Sequence, residues 1–193
     1  FLPICSSGHY NFSPFSLQIR NKCLSLHRPN NTNIYNYNIM ERTFVILKPV
    51  TVQRGLIGEV LNRFEKKGLK LVGMKMIQLD DAILAEHYAH LVDRPFFPGL
   101  KRSMKATPVV VCCFEGVDAI EVVRLMAGAT NGRKALPGTI RGDYSMSGQQ
   151  NIVHASDGPE TADIEIKRFF KDEELFSYDN CACAQFGYAE DEK

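Results

Sequence analysis

The chain of 193 residues has no acidic residue before Glu41, no run of about 18 apolar residues and no cysteine spacing of the zinc-binding kind. Without a long apolar run there is no membrane-spanning helix, and a soluble protein is expected. The formal net charge of +1 gives no general ground for nucleic acid or a membrane surface as the main partner. The six cysteines fall at Cys5, Cys23, the adjacent pair Cys112-Cys113, and Cys181 with Cys183. Adjacent Cys112 and Cys113 should point to opposite faces of an apolar strand, and Cys181-Ala182-Cys183 lacks a second pair. Reduced thiols in an intracellular protein are expected. His87 and His90, near Asp93, read as helix-face histidines and not as metal ligands.

The missing acid is confined to one end. Residues 1–39 hold none of the 22 Asp and Glu and only Arg20, Lys22 and Arg28 of the 23 Lys and Arg. The rest is therefore mildly acidic. With Pro3, Pro14 and Pro29, abundant Ser and Asn, and no amphipathic period, residues 1–39 are expected to be a disordered extension outside the fold. They suit a transit peptide to the mitochondrion or plastid in lacking acid, but arginine is sparse and the Asn-rich stretch 30–38 is atypical. The chain starts with Phe, and Met40 directly precedes the ordered-looking body. Translated upstream sequence, with a cytoplasmic protein, is therefore the simpler reading. Residues 40–193 form one expected domain, and 45% hydrophobic residues in the chain are enough for its core.

Thr43 to Leu47 is β-branched and aromatic and is stopped by Pro49, which reads as a buried strand. Leu56, Val60, Leu61 and Phe64 recur at helical spacing with Glu59 and Arg63 on the outer face, and Gly68 ends that helix. A strand over 69–79 follows. Asp80-Asp81 then cap a helix carrying Ile83, Leu84, His87, Tyr88 and Leu91. A third strand over 108–114 and a helix over 117–126 precede an irregular stretch, 128–150, with five glycines and one proline. So long a loop is unusual without a function. A short strand near Ile152-Val153 and a helix from about 159 to 170 complete the body. Strands alternating with helices, too few for a doubly wound sheet, predict an α/β (α+β) sandwich. Its form would be a ferredoxin-like split βαβ fold, with helices on one face of a four-stranded antiparallel sheet.

The candidate chemistry lies around the irregular stretch. Pro137-Gly138-Thr139-Ile140-Arg141-Gly142-Asp143 is a basic, glycine-rich loop. It stands just before Asn151-Ile152-Val153-His154-Ala155-Ser156-Asp157, whose single histidine can act as a nucleophile once one ring nitrogen is free of its proton. Lys48 at the end of the first strand, Arg124 on a helix and Arg141 in the loop are placed to converge on a polyphosphate, the guanidiniums with bidentate contacts and the lysine as a point charge.

From Glu41-Arg42-Thr43-Phe44 to about Cys181 the chain resembles the nucleoside diphosphate kinase family. The resemblance rests on Lys48-Pro49, Val52-Gln53-Arg54-Gly55, His87-Tyr88, Asp93-Arg94-Pro95-Phe96-Phe97-Pro98-Gly99-Leu100, the loop at 137–143, and Asn151-Ile152-Val153-His154 followed by Ser156-Asp157. It implies the same ferredoxin-like fold and a ping-pong transfer of the γ-phosphate of a nucleoside triphosphate, typically ATP, through His154 to a nucleoside diphosphate. By the same resemblance Lys48, Arg124, Thr130 and Arg141 bind phosphates, Asn151 serves the ribose and phosphate region, and Phe96 stacks on the base. Tyr88 steers the imidazole, Glu165 holds its other nitrogen, and Ser156 hydrogen-bonds near Glu165. Stacking on one phenylalanine accepts every base, since each has a π-face; Phe97 is expected in the core. Mg²⁺ is implied as the cofactor, arriving on nucleotide phosphates without a carboxylate cage. A homo-oligomer is implied too, a hexamer ahead of a tetramer.

The match fails at several places. Val50-Thr51 stands where the family usually has Asp-Gly, although position 51 could still cap the first helix. Ala129 and Gly132 replace Glu and Pro, Gln149-Gln150 replaces Gly-Arg, and Ala155 replaces a Gly, which matters if the backbone there needs positive φ. The tail also lacks a tryptophan common in the family. A catalytically weak paralogue serving as a nucleotide-binding scaffold or oligomer subunit is the alternative, but its mark would be a missing His, Lys or Arg, and all are present. Nucleic acid is at most a secondary partner for so acidic a body.

Overall fold

The computed structural model describes residues 40–179; the expectations for residues 1–39 and for Cys181 and Cys183 lie outside the described residues. Strand β1 spans Met40–Leu47 and ends at Lys48-Pro49, where proline opens the short helix α1, Pro49–Gln53. Helix α2, Ile57–Lys67, carries the expected Glu59–Arg63 pair on its outer face at 3.0 Å and stops at Gly68, whose φ of 104° suits a residue without Cβ. Strand β2 is Lys70–Ile77. Asp80 caps helix α3, Asp81–His87, by accepting from the Ile83 amide at 2.8 Å. A 3₁₀ turn at Ala89–Leu91 and helix α4, Phe97–Met104, lead into strand β3, Val109–Val117. Helix α5, Ala119–Ala127, follows directly.

The four strands lie in the order β2-β3-β1-β4, with β4 formed by Val153–Ala155, and all neighbours are antiparallel. β1 and β2 therefore run the same way with β3 between them, the split βαβ arrangement that was expected. Helix α7, Pro159–Phe169, starts on a proline, which costs no hydrogen bond at that position.

One expectation is corrected. The helices cover both faces of the sheet, because β1 and β3 are apolar on both. Phe44, Ile46, Val109, Val111 and Cys113 join α3, α4 and α7 in one core, where the Phe44 and Phe169 rings stack at 4.7 Å. Val45, Leu47, Val110, Cys112 and Phe114 join α2 and α5 in the other. Cys112 and Cys113 thus point to opposite faces, as the sequence implied, and both thiols are free. α1 and α4 went unforeseen because each is short, lies next to a proline and carries too few apolar positions to show a period.

The stretch 128–150 is more ordered than its glycines suggest. It contains a 3₁₀ turn at Gly132–Lys134 and helix α6, Ile140–Tyr144, capped by the Thr139 hydroxyl. Arg63 of α2 pins α6 through Asp143 at 2.6 Å and the Tyr144 hydroxyl at 2.7 Å. Gly132 is where the resembled family usually has proline. Here its amide donates to the Ser147 carbonyl at 3.2 Å, and a Cβ would run into the Ser145 carbonyl. Gly132→Pro removes that donor and forces the contact. It should lower the unfolding free energy by about 2 kcal/mol, read as an earlier midpoint in urea denaturation.

Candidate active site

A cavity of about 840 Å³ opens between the ends of β1 and β4, helices α3, α5 and α7, and the 128–150 stretch. Lys48, Tyr88, Phe96, Arg124, Thr130, Arg141, Asn151, His154 and Glu165 all line it. Of the expected residues, Ser156 alone is fully buried behind the wall. The fold thus gathers residues from four separate parts of the chain.

The floor is a strained turn. Ile152, fully buried, has a φ of 70°, a conformation that β-branched residues rarely adopt. Its neighbours hold it there. The Ile152 carbonyl accepts from the Lys48 amide at 2.9 Å and from the Thr51 hydroxyl at 2.5 Å. Arg141 donates through Nε to the Asn151 carbonyl at 3.2 Å, through Nη2 to the Val153 carbonyl at 2.9 Å and through Nη1 to the Gly128 carbonyl at 2.7 Å. Three of the five guanidinium N–H groups are thereby committed, leaving two for an anion. The Asn151 side chain donates to the carbonyls of Thr130 at 2.7 Å and Gly148 at 2.9 Å, and its Oδ1 accepts from Lys48 Nζ at 2.5 Å. One Oδ1 lone pair remains for a ligand hydroxyl.

Two departures are settled by this geometry. Thr51 caps neither α1 nor α2; it lies within α1 and its hydroxyl bonds the Ile152 carbonyl instead. Ala155 is in regular β4 and needs no positive φ, so its Cβ is harmless there. The strained residue is three positions earlier.

From that turn β4 carries His154 beside Ile46 of β1. His154 Nε2 meets Glu165 Oε1 of α7 at 2.8 Å, and the Ser156 hydroxyl donates to Glu165 Oε2 at 2.6 Å. A carboxylate only accepts, so Nε2 carries the proton and Nδ1 is left with its lone pair and no hydrogen-bond partner among the described residues. The His154 side chain is 20% exposed, against 5% for Glu165.

The cavity is lined by cations that lack direct ion pairs. Lys48, Arg124 and Arg141 form no ion pair among the described residues. Burial, then the nearby Arg141 charge, lowers the Lys48 pKa to about 7. Burial and the Arg124 charge bring Arg141 to about 10, still a cation at neutral pH. Burial, with Glu165 second, raises the Tyr88 phenol well above its usual range, so its hydroxyl remains a donor, and it is buried with no partner. Phe96 is 53% exposed at the rim whereas Phe97 is buried in the core, which is the division expected of them.

His87, expected on a helix face and not as a metal ligand, is on α3 and buried, and its ring stands edge-on to His154 with centroids 4.6 Å apart. Its Nδ1 lies 3.7 Å from Glu165 Oε1. The signal was its place on the helical stripe of Leu84 and Leu91. His87, His154 and Glu165 are the one trio among the described residues close enough to share a metal ion. Both Glu165 oxygens are already engaged, however, and Arg168 Nη1 faces His87 Nδ1 at 3.5 Å, a poor setting for a cation. Arg168 and Gln149 also line the cavity and had no signal in the sequence.

The fold and site together define a phosphate-transferring enzyme that handles nucleotides. Residues 41–175 match the sequence profile described as nucleoside diphosphate kinase, and the chain belongs to that family. It is 71% identical over 140 residues to the nucleoside diphosphate kinase of Parabacteroides distasonis, covering 72% of this chain and 92% of that protein. The structure of a nucleoside diphosphate kinase from Halobacterium salinarum in complex with CDP superposes with a TM-score of 0.74 at 46% identity, over 76% of this chain and 97% of that one. A transition-state mimic of the Borrelia burgdorferi enzyme, with vanadate and ADP, superposes with a TM-score of 0.70 at 38% identity over 75% and 96% of the two chains. This chain is accordingly a kinase that moves the terminal phosphate of a nucleoside triphosphate to a nucleoside diphosphate.

The buried lysine has a measurable consequence. In the unfolded chain Lys48 keeps its proton to about pH 10.5, whereas the native protein releases it above about 7. Between those limits the unfolded state binds one more proton, so stability rises with pH. Below about pH 7 both states are protonated and the contribution is flat. The unfolding free energy of the wild type relative to Lys48→Met should therefore climb between pH 7 and 10, by up to about 1.4 kcal/mol per unit, in denaturant titrations at stepped pH.

Proposed function

We propose that His154 carries the phosphate between the two nucleotides. The observation that supports this most is the pairing of its ring nitrogens. Nε2 is saturated by buried Glu165, while Nδ1 is unpaired on the wall of a cavity ringed by three cations. The Nδ1 lone pair attacks the γ-phosphorus of the triphosphate. The Nδ1–P bond forms as the bond from phosphorus to the bridging oxygen breaks, and the electron pair leaves on the diphosphate. The ring becomes an imidazolium, and the Glu165 carboxylate on Nε2 balances that charge. In the second half a β-phosphate oxygen of the acceptor diphosphate attacks the phosphorus and the pair returns to Nδ1.

Lys48, Arg124, Thr130 and Arg141 hold the phosphates, Arg141 through its two free N–H groups. Lys48, its pKa lowered by burial and the Arg141 charge, is held in its protonated form by an arriving polyphosphate. Asn151 serves the ribose through its free Oδ1 lone pair, Tyr88 donates to the transferring group, and Ser156 fixes Glu165 from behind. Phe96 stacks on the base without reading its edge; relatives bound to CDP and to ADP support such tolerance. Mg²⁺ fits as a companion of the nucleotide, for among the described residues the acids on the cavity wall are Asp157 and the fully engaged Glu165. It would supply neutralisation of phosphate charge, held by the phosphate oxygens and water.

Residues 40–193 act as the catalytic domain, with residues 1–39 dispensable to it. The working compartment is the cytoplasm, or the mitochondrion or plastid if residues 1–39 are a transit peptide. The assembly is a homo-hexamer, with a tetramer as the alternative. Exposed apolar side chains suit burial against further copies: Met74 and Met76 on edge strand β2, and Leu136 and Met146 at separate points of the irregular stretch. Light scattering gives the mass directly.

With γ-labelled ATP and Mg²⁺ the wild type should acquire acid-labile, base-stable label on His154 and pass it to unlabelled GDP. His154→Gln should fold, bind ATP and lose exchange by about three orders of magnitude or more. Near-normal exchange in that variant would refute the nucleophile. Phe96→Ala should raise the half-saturating concentration of all nucleotides by similar factors, about tenfold for one lost stack.

A further inference from the structure

Gln149 brings a carboxamide to the cavity that nothing in the described chain uses. It stands where the resembled family usually has glycine, and it lines the wall together with Phe96, Leu100 and Gly148. Its backbone is fixed at the phosphate end: the amide donates to the Ser147 hydroxyl at 3.1 Å, and the carbonyl accepts from Lys48 Nζ at 3.4 Å. The side chain reaches the other end. A Cβ on Gly99 would stand 3.4 Å from Gln149 Nε2 and 3.8 Å from its Oε1, so the carboxamide rests on the bare backbone of α4. Phe96 caps that helix three residues before Gly99, and residues three apart share a helix face. The half-exposed Phe96 ring and the Gln149 carboxamide therefore flank the same corner of the cavity. Neither Nε2 nor Oε1 has a hydrogen-bond partner among the described residues.

Resting on the reading of Phe96 as the platform for the base, we propose that the Gln149 carboxamide hydrogen-bonds the edge of whichever base lies there, turning over to match it. Gln149 is then a second base-binding residue, and one that adds affinity without choosing among bases.

The chemistry of the bases permits this. Each presents a donor beside an acceptor on its outer edge: adenine N6–H beside N1, cytosine N4–H beside N3, guanine N1–H beside O6, uracil N3–H beside O4. A carboxamide carries the same pair, an N–H donor and a carbonyl acceptor. A half-turn about its last torsion, which is broad and two-fold, exchanges the two. A carboxamide locked by a protein partner would favour one orientation and so one pair of bases. That of Gln149 is held by contact alone and can adopt either, which agrees with a stack that reads no edge.

The position also explains why the side chain is placed so well. Its main-chain carbonyl is tied to Lys48, so the residue is anchored where the phosphates bind while its carboxamide stands where the base does. At Gly99 the missing Cβ leaves the carboxamide room beside Phe96.

The test is calorimetric titration of the full chain, with Mg²⁺, by ADP, GDP, CDP, UDP and the base-free ribose 5-diphosphate. Gln149→Met keeps the length of the side chain and both backbone contacts and removes the carboxamide; the residue is exposed, so the variant should fold. It should weaken all four nucleoside diphosphates by about three- to tenfold, as expected for one or two partly exposed hydrogen bonds, and leave ribose 5-diphosphate unchanged. Unchanged affinity for all four would overturn the proposal, because the side chain would then only pack. An equal loss for ribose 5-diphosphate would overturn it by placing the effect at the phosphates, and a loss confined to one base would do so by making the residue a selector. The side-chain ¹⁵N–¹H resonances of Gln149, assigned by their absence from the variant, should move with each nucleoside diphosphate and stay in place with ribose 5-diphosphate; resonances that never move would count against it. Phe96→Ala separates this from the reading it rests on. If the preference for nucleoside over ribose diphosphate survives that change, the base does not lie on Phe96 and the underlying reading fails. If Phe96→Ala removes the preference while Gln149→Met does not, the carboxamide alone is excluded.

Discussion

The site depends on holding one unfavourable peptide turn in place. Ile152 sits at a φ of 70° with its side chain fully buried, a geometry that persists only where the surroundings over-determine it. Here the carbonyls of Asn151, Ile152 and Val153 are each gripped from outside the turn, by Arg141, by Lys48 with Thr51, and again by Arg141. The turn brings the chain from the irregular stretch into β4 at the register that places His154 beside Ile46. Slipping that register by one residue would exchange the faces of His154 and Val153 and destroy both the site and the core.

The same groups that bind the turn also face the cavity, so positioning and charge are not separable here. Arg141 spends three donors on backbone carbonyls and keeps two. Lys48 contributes its amide to Ile152 and its ammonium to Asn151. With no direct ion pair among the described residues, and Asp157 the acid whose charge couples to Arg124, these cations repel one another in the empty site and are relieved by an anion. Binding a polyphosphate therefore does electrostatic work that a neutralised site could not. The departures from the family pattern fit this frame. Thr51 adds a donor to the strained carbonyl, and Gly132 allows a backbone contact with Ser145 that a proline would forbid.

On the far side of His154 the logic concerns protons. Glu165, Ser156 and His154 form a chain of short hydrogen bonds whose direction is fixed because a carboxylate cannot donate. His87 and Arg168 adjoin this chain. Of the three buried side-chain polar atoms left without partners among the described residues, Tyr88 Oη and His87 Nε2 lie at this spot, and the third is Thr43 Oγ1 in β1.

Much of this was legible in the sequence. The buried strands, the helices α2, α5 and α7, the Asp80 cap and the Gly68 stop follow from local patterns that tertiary packing did not override. Lys48, Arg124, Arg141 and His154 could be singled out because their chemistry is distinctive and the glycine-rich stretch marks unusual backbone. Resemblance to a family, not spacing, nominated Tyr88, Glu165 and Ser156. The sequence could not reveal that helices cover both faces of the sheet, since apolar runs do not say what lies against them. Nor could it show that Ile152 carries the strain and not Ala155, or that His87 turns inward to Glu165. Those facts arise from contacts between residues tens of positions apart. Local sequence sets which groups are available, and only the closed fold determines which carbonyl each donor meets and which nitrogen keeps the proton.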